Sequence, residues 1–335
     1  VSVSPPHRRD LALLFLIAIG AGCFMVRSHW QSIDEGRIVG KLALHGAVLA
    51  NEAKDPYQYK CWPITHVLDW IGDSAGLDGE SLYRWNTLLG VFWLLACHAL
   101  WLRCFGGGRA VLVGTLTLVA LAHVLFLDHF HHPYEFWGVG LGCLLLRGIW
   151  KDWDWRWLVA LALVTGLVWE KHALLAPVYG LYRLRRGDPL VPAALRAFAL
   201  LAAALVAPIA IRLHLDGQLA AGVERLQVDG DTPFDSQKWH LVLWNQGSYI
   251  LPFLAILLLR LKSIPTLVRV AWIQLPLLVA AYLYKDYIIH EVRSFWALAP
   301  VFTATLVCWW SATDPASRPA DPVAPVRAMP DAPPA

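Results

Sequence analysis

Charge is scarce in this chain. Asp, Glu, Lys and Arg make up 16% of its 335 residues, against 57% hydrophobic residues and a mean hydropathy of +0.49. So little charge excludes a water-soluble globule of this size and leaves an all-α polytopic membrane protein. The six cysteines contain no CxxC pair and fall mostly in apolar segments, which excludes a disulfide framework and a zinc site. No HExxH occurs, and His129, His131 and His132 stand at i, i+2 and i+3, a spacing that does not bring them to one helical face, so they read as interfacial histidines. No internal repeat marks an inverted-repeat transporter. No small-residue cleavage site follows the apolar run at 11–26, which reads as a retained first helix. The net charge of +3 is small and says little about partners; no nucleic acid is expected among them.

What the chain does have is tryptophan, eighteen residues of it, as expected of belts at the two membrane interfaces. It also has an ordered distribution of Lys and Arg. His7-Arg8-Arg9 before the first apolar run places the N-terminus in the cytoplasm. Residues 86–102 then return inward to Arg103 and Arg109, 110–127 go out, and Pro133 starts a helix that comes back to Arg147, Lys151 and Arg156. The interval 157–182 is basic at both ends and carries Trp169-Glu170-Lys171-His172 in its middle. Two short helices in a hairpin, with Glu170, Lys171 and His172 at an outward tip, satisfy both ends. Residues 190–214 run out, 239–259 in, 270–284 out, and 295–310 make the last crossing. The sum is about ten transmembrane or re-entrant helices in the plasma (inner) membrane, with both termini cytoplasmic. The Pro- and Ala-rich residues 312–335 are expected to form a disordered cytoplasmic tail beyond a transmembrane domain at 1–311.

The longest polar interval, 28–84, is the first extracytoplasmic loop. It opens with Asp34-Glu35 at the edge of the bilayer, where ionisable groups usually mark function. Ile38, Val39, Leu42, Leu44, Val48 and Leu49 follow in an amphipathic pattern, that of an interfacial helix holding the carboxylates over the membrane edge. A solvated helix exit is the plainer alternative. Further polar clusters at 60–66, 128–135, 170–172 and 290–293 fall on the same side, so a site should face outward. Glu170-Lys171 reads either as part of it or as an ion pair capping the hairpin. Glu291 suits the start of the last helix, whereas Arg293 opposes the helix dipole there, which is explained by an anionic partner.

The order of features in 34–84 resembles a known family. Asp34-Glu35-Gly36-Arg37 is followed by Leu44-His45-Gly46, Asp55-Pro56-Tyr57, Tyr59-Lys60-Cys61-Trp62-Pro63-Ile64 and Leu82-Tyr83-Arg84. This is similar to the first periplasmic loop of GT-C-fold glycosyltransferases of the protein O-mannosyltransferase and lipid A aminoarabinose transferase type. The resemblance extends to 128–144, 170–182 and 293–300. It implies a GT-C-like fold and inverting transfer of a sugar from a polyprenyl-phosphate donor to a lipid, glycan or protein acceptor. It assigns Asp34 as general base with Glu35 in support. Arg293, Lys171 and Lys60 are the cations for the phosphate, and Glu170, His132 and Glu291 are neighbours in substrate binding. Some enzymes of this type use a divalent cation; nothing in this sequence compels one, and no other cofactor is implied. Membrane lipids are the remaining partners. Two rivals are a transporter or flippase of a lipid-linked or anionic substrate, which needs access from both faces, and a non-catalytic assembly subunit.

Overall fold

The computed structural model describes residues 19–27, 62–128, 133–216, 247–284 and 292–313, with Leu16 and Gly46. Residues 19–27 are helical, and the rest form eleven α-helices and two 3-10 helices, with no strand among the described residues. Among the described residues three stretches are long and apolar enough to cross a membrane: Gly79–Leu102, Leu190–Ala210 and Phe295–Ala312. Shorter apolar helices accompany them.

Helix α1 (Trp62–Ala75) lies inside the polar loop read from the sequence and ends in a Schellman turn. Leu77 N–H reaches Gly72 O at 3.0 Å, and Gly76 supplies the left-handed residue (φ 63°) that the turn requires. Two residues later α2 (Gly79–Leu102) begins, seven residues ahead of the expected start at 86. The reason is a local cap: Asp78 Oδ1 accepts from Ser81 N–H at 2.7 Å, so polar residues 79–85 join the helix instead of the loop.

Helices α3 (Gly108–Asp128) and α4 (Pro133–Trp150) follow, and α4 packs along α2 in parallel. Trp137 Nε1 donates to Asn86 Oδ1 at 2.8 Å, Trp93 Nε1 to Trp137 O at 3.3 Å, and Arg147 Nη1 to Leu100 O at 2.5 Å, three ties in register along both helices. The α2–α3 and α4–α5 turns therefore lie at one end of the bundle, with α1 at the other.

The interval 157–182 is two short helices, α5 (Trp155–Val168) and α6 (Leu175–Arg185), joined by a 3-10 helix at Glu170–Leu174. At 14 and 11 residues they rise about 21 and 16 Å, short of the roughly 30 Å of hydrocarbon. Their outer ends meet: Asp152, before α5, pairs with Arg183 and, at 3.3 Å, with Arg186 at the end of α6. Arg183 Nε also holds Asp188 at 2.6 Å. The pair is a hairpin of two short helices. Pro177 enforces the break, since it has no N–H for Ala173 O and its ring would clash with that carbonyl unless it sits in a first turn.

The hairpin packs on α7 (Leu190–Asp216), which is otherwise largely exposed, with only 17% of its apolar window buried. Gly166 of α5 and Gly180 of α6 face Ala204 and Ala197 of α7. Helix α8 (Gly247–Leu259) stacks Phe253 on Phe302, ring centroids 5.2 Å apart.

Two expected helices are broken in the structure. Residues 270–284 were expected as one crossing but form α9 (Thr266–Ala271) and α10 (Gln274–Tyr284), divided so that Pro276 falls in a first turn. Glu291 and Arg293 were expected to open the final α-helix. Instead the backbone of Arg293 belongs to a second 3-10 helix, Val292–Leu298, and α11 (Ala299–Thr313) starts with Pro300 in its first turn. Glu291 lies outside the described residues. With 78% of its apolar window buried, the stretch containing α11 is the core of the bundle, antiparallel to α3: Ser311 lies against Gly106 and Val307 against Gly114. Cys97, Cys104, Cys143 and Cys308 are buried and free.

Two outcomes test this packing. A Cβ at Gly166 would lie 2.1 Å from the carbonyl oxygen of Ala204, and backbone cannot retreat as a side chain can. Gly166→Ala should cost about 1–3 kcal/mol, read as a lower unfolding midpoint in detergent, with Gly107→Ala, which meets open space, as the control. The second concerns Asp78, whose carboxyl is held below its ordinary pKa by the hydrogen bonds from Ser81. A depressed folded value means that the cap is fully present above the unfolded carboxylate range and is lost as pH falls through the folded value. Asp78→Asn, which caps without titrating, should flatten the acid limb of the midpoint-versus-pH curve while leaving neutral pH little changed.

Candidate functional site

The hairpin tip brings three consecutive polar residues, Glu170, Lys171 and His172, against the bundle. The chain leaves α5 at Trp169, whose extended backbone (φ −158°, ψ 109°) ends the helix while its N–H still reaches Thr165 O at 2.7 Å. One tight turn then carries Glu170, Lys171 and His172. A 3-10 helix has three residues per turn, so these three side chains diverge by about 120° and cannot all meet one ligand atom.

His172 is directed at α4. It is buried, its ring hydrogen-bonds the backbone of Gly138, and it stands edge-on to Trp169 with centroids 5.4 Å apart. Its Nε2 is buried with no hydrogen-bond partner. Lys171 curls back instead, its Nζ 4.8 Å from the centre of the Trp169 ring, a cation–π contact that steadies the ammonium in a low-dielectric setting. Lys171 and Glu170 are both half-buried and both have further polar or ring interactions.

The tip enters this far because α4 gives way to it. Gly138 and Gly142, one helical turn apart, form a notch into which Trp169 and His172 fit: a Cβ at either would come within 2.8 Å of Trp169 Cε3 or 2.4 Å of His172 Cε1. Gly140 faces the other way and admits Trp93 of α2. Position 142 lies eight residues before Trp150, about 12 Å along the axis, and 138 about 18 Å, which sets the tip near the middle of α4. The sequence reading did not use this Gly-x-Gly-x-Gly, although small residues at helical spacing in an apolar segment are a signal of close packing. It also did not single out His98, buried on α2 with Nε2 2.7 Å from Thr303 Oγ1 of α11.

Of the residues chosen from the sequence, Asp34, Glu35, Lys60, His132 and Glu291 lie outside the described residues. Arg293 is described by its backbone alone. The 3-10 helix that contains it packs against α3, α4, α10 and α11, so the elements bearing Lys171 and Arg293 share α4 as a neighbour. Among the described residues no group of three His, Cys, Asp or Glu is placed to hold a metal ion. No protein-family model, curated protein or solved structure matches this chain.

The notch has a direct test. Gly142→Ala should displace His172 and destabilise the protein. Gly142→Ala combined with His172→Ala should recover part of the loss, with a coupling of about 0.5–3 kcal/mol in the double-mutant cycle. Additive effects would show that the two residues do not bear on one another.

Proposed function

We propose that this chain is an integral-membrane glycosyltransferase of GT-C-like architecture. It moves a sugar from a polyprenyl-phosphate donor to an acceptor at the extracytoplasmic face. One observation carries the reading: two interruptions of helical structure, at Glu170–Leu174 and Val292–Leu298, flank the same helix α4 and bring Lys171 and the backbone of Arg293 into the bundle. Irregular backbone at membrane depth is tolerated where it is buried in protein or lines a cavity, and cations at that depth suit the phosphate of a lipid-anchored donor.

In this reading Asp34 takes the proton of the acceptor hydroxyl as its oxygen attacks the anomeric carbon, and the bond to the lipid phosphate breaks with inversion. Glu35 supports it. Lys171 and Arg293 offset the charge that develops on the departing phosphate, with Lys60 beside them. Glu170, His132 and Glu291 are further residues of substrate binding. The proposed topology keeps both termini in the cytoplasm and the α1 end of the bundle outside.

The experiment is transfer by the reconstituted full chain from a panel of polyprenyl-phosphate sugars, paired with mass spectrometry of the lipid that co-purifies. Asp34→Asn should lower turnover at least 100-fold while leaving donor binding intact, as expected for loss of a general base, and Glu35→Gln should cost less. Lys171→Ala should weaken use of the donor while the protein stays folded. Undiminished transfer by both Asp34→Asn and Glu35→Gln would exclude the base assignment. No co-purifying polyprenyl phosphate and no transfer from any donor would exclude the reaction.

A further inference from the structure

The end of the bundle opposite α1 carries exposed cations whose carboxylate neighbours are engaged elsewhere. The α4–α5 turn reads Trp150-Lys151-Asp152-Trp153-Asp154-Trp155-Arg156-Trp157, formally neutral with two cations and two carboxylates. In the fold that balance separates. Asp152 is committed to Arg183 and Arg186, and Asp154 caps α5 by accepting from Arg156 N–H at 2.9 Å. Lys151 and the Arg156 guanidinium stay exposed, with no ion pair among the described residues. Arg103 and Arg109, at the α2–α3 turn of the same end, are exposed and likewise unpaired.

Helix ends account for only half of these cations. Arg103 and Lys151 follow the C-termini of α2 and α4, where the dipole favours positive charge. Arg109 and Arg156 sit in the first turns of α3 and α5, where it opposes them. Placed against the dipole and exposed, these two guanidinium groups are available to an anionic partner. Around these cations Trp153, Trp155 and Trp157 are 41%, 37% and 72% exposed, rings with an apolar body and one N–H donor, suited to the depth between hydrocarbon and headgroup.

We propose that this end of the bundle is a docking surface for anionic phospholipid, with the headgroup phosphates held by Lys151, Arg156 and Arg109 and the three tryptophans seated at the glycerol level. Charge complementarity selects that occupant, since a zwitterionic headgroup brings its own cation and gains little from a row of guanidinium groups. The inference does not depend on the reaction proposed above.

The test is native mass spectrometry of the full chain equilibrated in mixed micelles of phosphatidylglycerol and phosphatidylcholine. The wild type should retain phosphatidylglycerol preferentially, and the preference should fall as salt is raised. Arg109→Gln with Arg156→Gln should lower it about fivefold per cation removed. Arg84→Gln, at the far end of the bundle, should leave it unchanged. Equal retention of both lipids by the wild type, a preference indifferent to salt, or an equal loss in Arg84→Gln would each overturn the proposal. So would displacement of phosphatidylglycerol by inorganic phosphate, which would mark a small-anion site. If the double variant does not fold, Trp157→Ala and the salt series on the wild type decide the matter: both should reduce the preference, and failure of either overturns it.

Discussion

Inside a bilayer every backbone N–H and C=O has to find a partner within the protein, and proline is the one residue that withholds a donor. That constraint shapes this bundle. Pro133, Pro177, Pro192, Pro276 and Pro300 all stand in the first turn of a helix, where the missing N–H leaves no carbonyl unpaired. Pro177, Pro276 and Pro300 mark where an apolar stretch restarts, whereas Pro208 and Pro252 stand inside α7 and α8. The hairpin and the break before α11 are consequences, and so is the concentration of irregular backbone against α4.

Breaking a helix within the bundle leaves backbone groups that need partners, and some are met locally. His172 N–H reaches Trp169 O at 3.3 Å, and the hydroxyl of Thr165 turns back to Ala162 O at 2.7 Å. Side chains complete the arrangement. The glycines of α4 give the tip room, and the ties between Trp137 and Asn86 and between Trp93 and the Trp137 carbonyl hold α4 against α2. The ion pairs from Asp152 close the outer ends of the hairpin in a region where water screens them, so they contribute register more than energy. Asp152 itself adopts a left-handed backbone (φ 56°), one of the few non-glycine side chains that tolerates it, and this lets the turn place its carboxylate between two arginines.

The distribution of polar groups through the membrane is uneven in a useful way. Unpaired cations gather at the end that carries the α2–α3 and α4–α5 turns. The described carboxylates of α1 and of the first turn of α2, namely Asp69, Asp73, Asp78 and Glu80, gather at the other. Between them some of the buried polar side chains are matched across helices: His98 with Thr303, Trp272 Nε1 with Thr305 Oγ1 at 3.0 Å, Trp101 Nε1 with Pro300 O at 3.0 Å. Such pairs orient α2 and α9 on α11, while the hairpin tip brings side chains of both charges, Glu170 and Lys171, half-buried against the bundle.

Much of this was open to reading without coordinates. Hydropathy and the positions of Lys and Arg are one-dimensional quantities, so the apolar stretches, the basic turns and the interrupted hairpin around Glu170 to His172 follow from chain order alone. Helix starts displaced by local chemistry, such as Asp78 ahead of α2 or Pro276 ahead of α10, were within reach but were overridden by the hydropathy pattern. Tertiary structure alone decided that a glycine of α4 sits opposite His172, that Asp152 and Asp154 are engaged within the protein while Lys151 and Arg156 remain exposed, and that both 3-10 segments border one helix. Those outcomes depend on which faces of distant segments meet. Helices of near-uniform hydrophobicity carry little information about facing, because lipid and protein interior are equally apolar; only steric fit and the pairing of polar groups can choose between them.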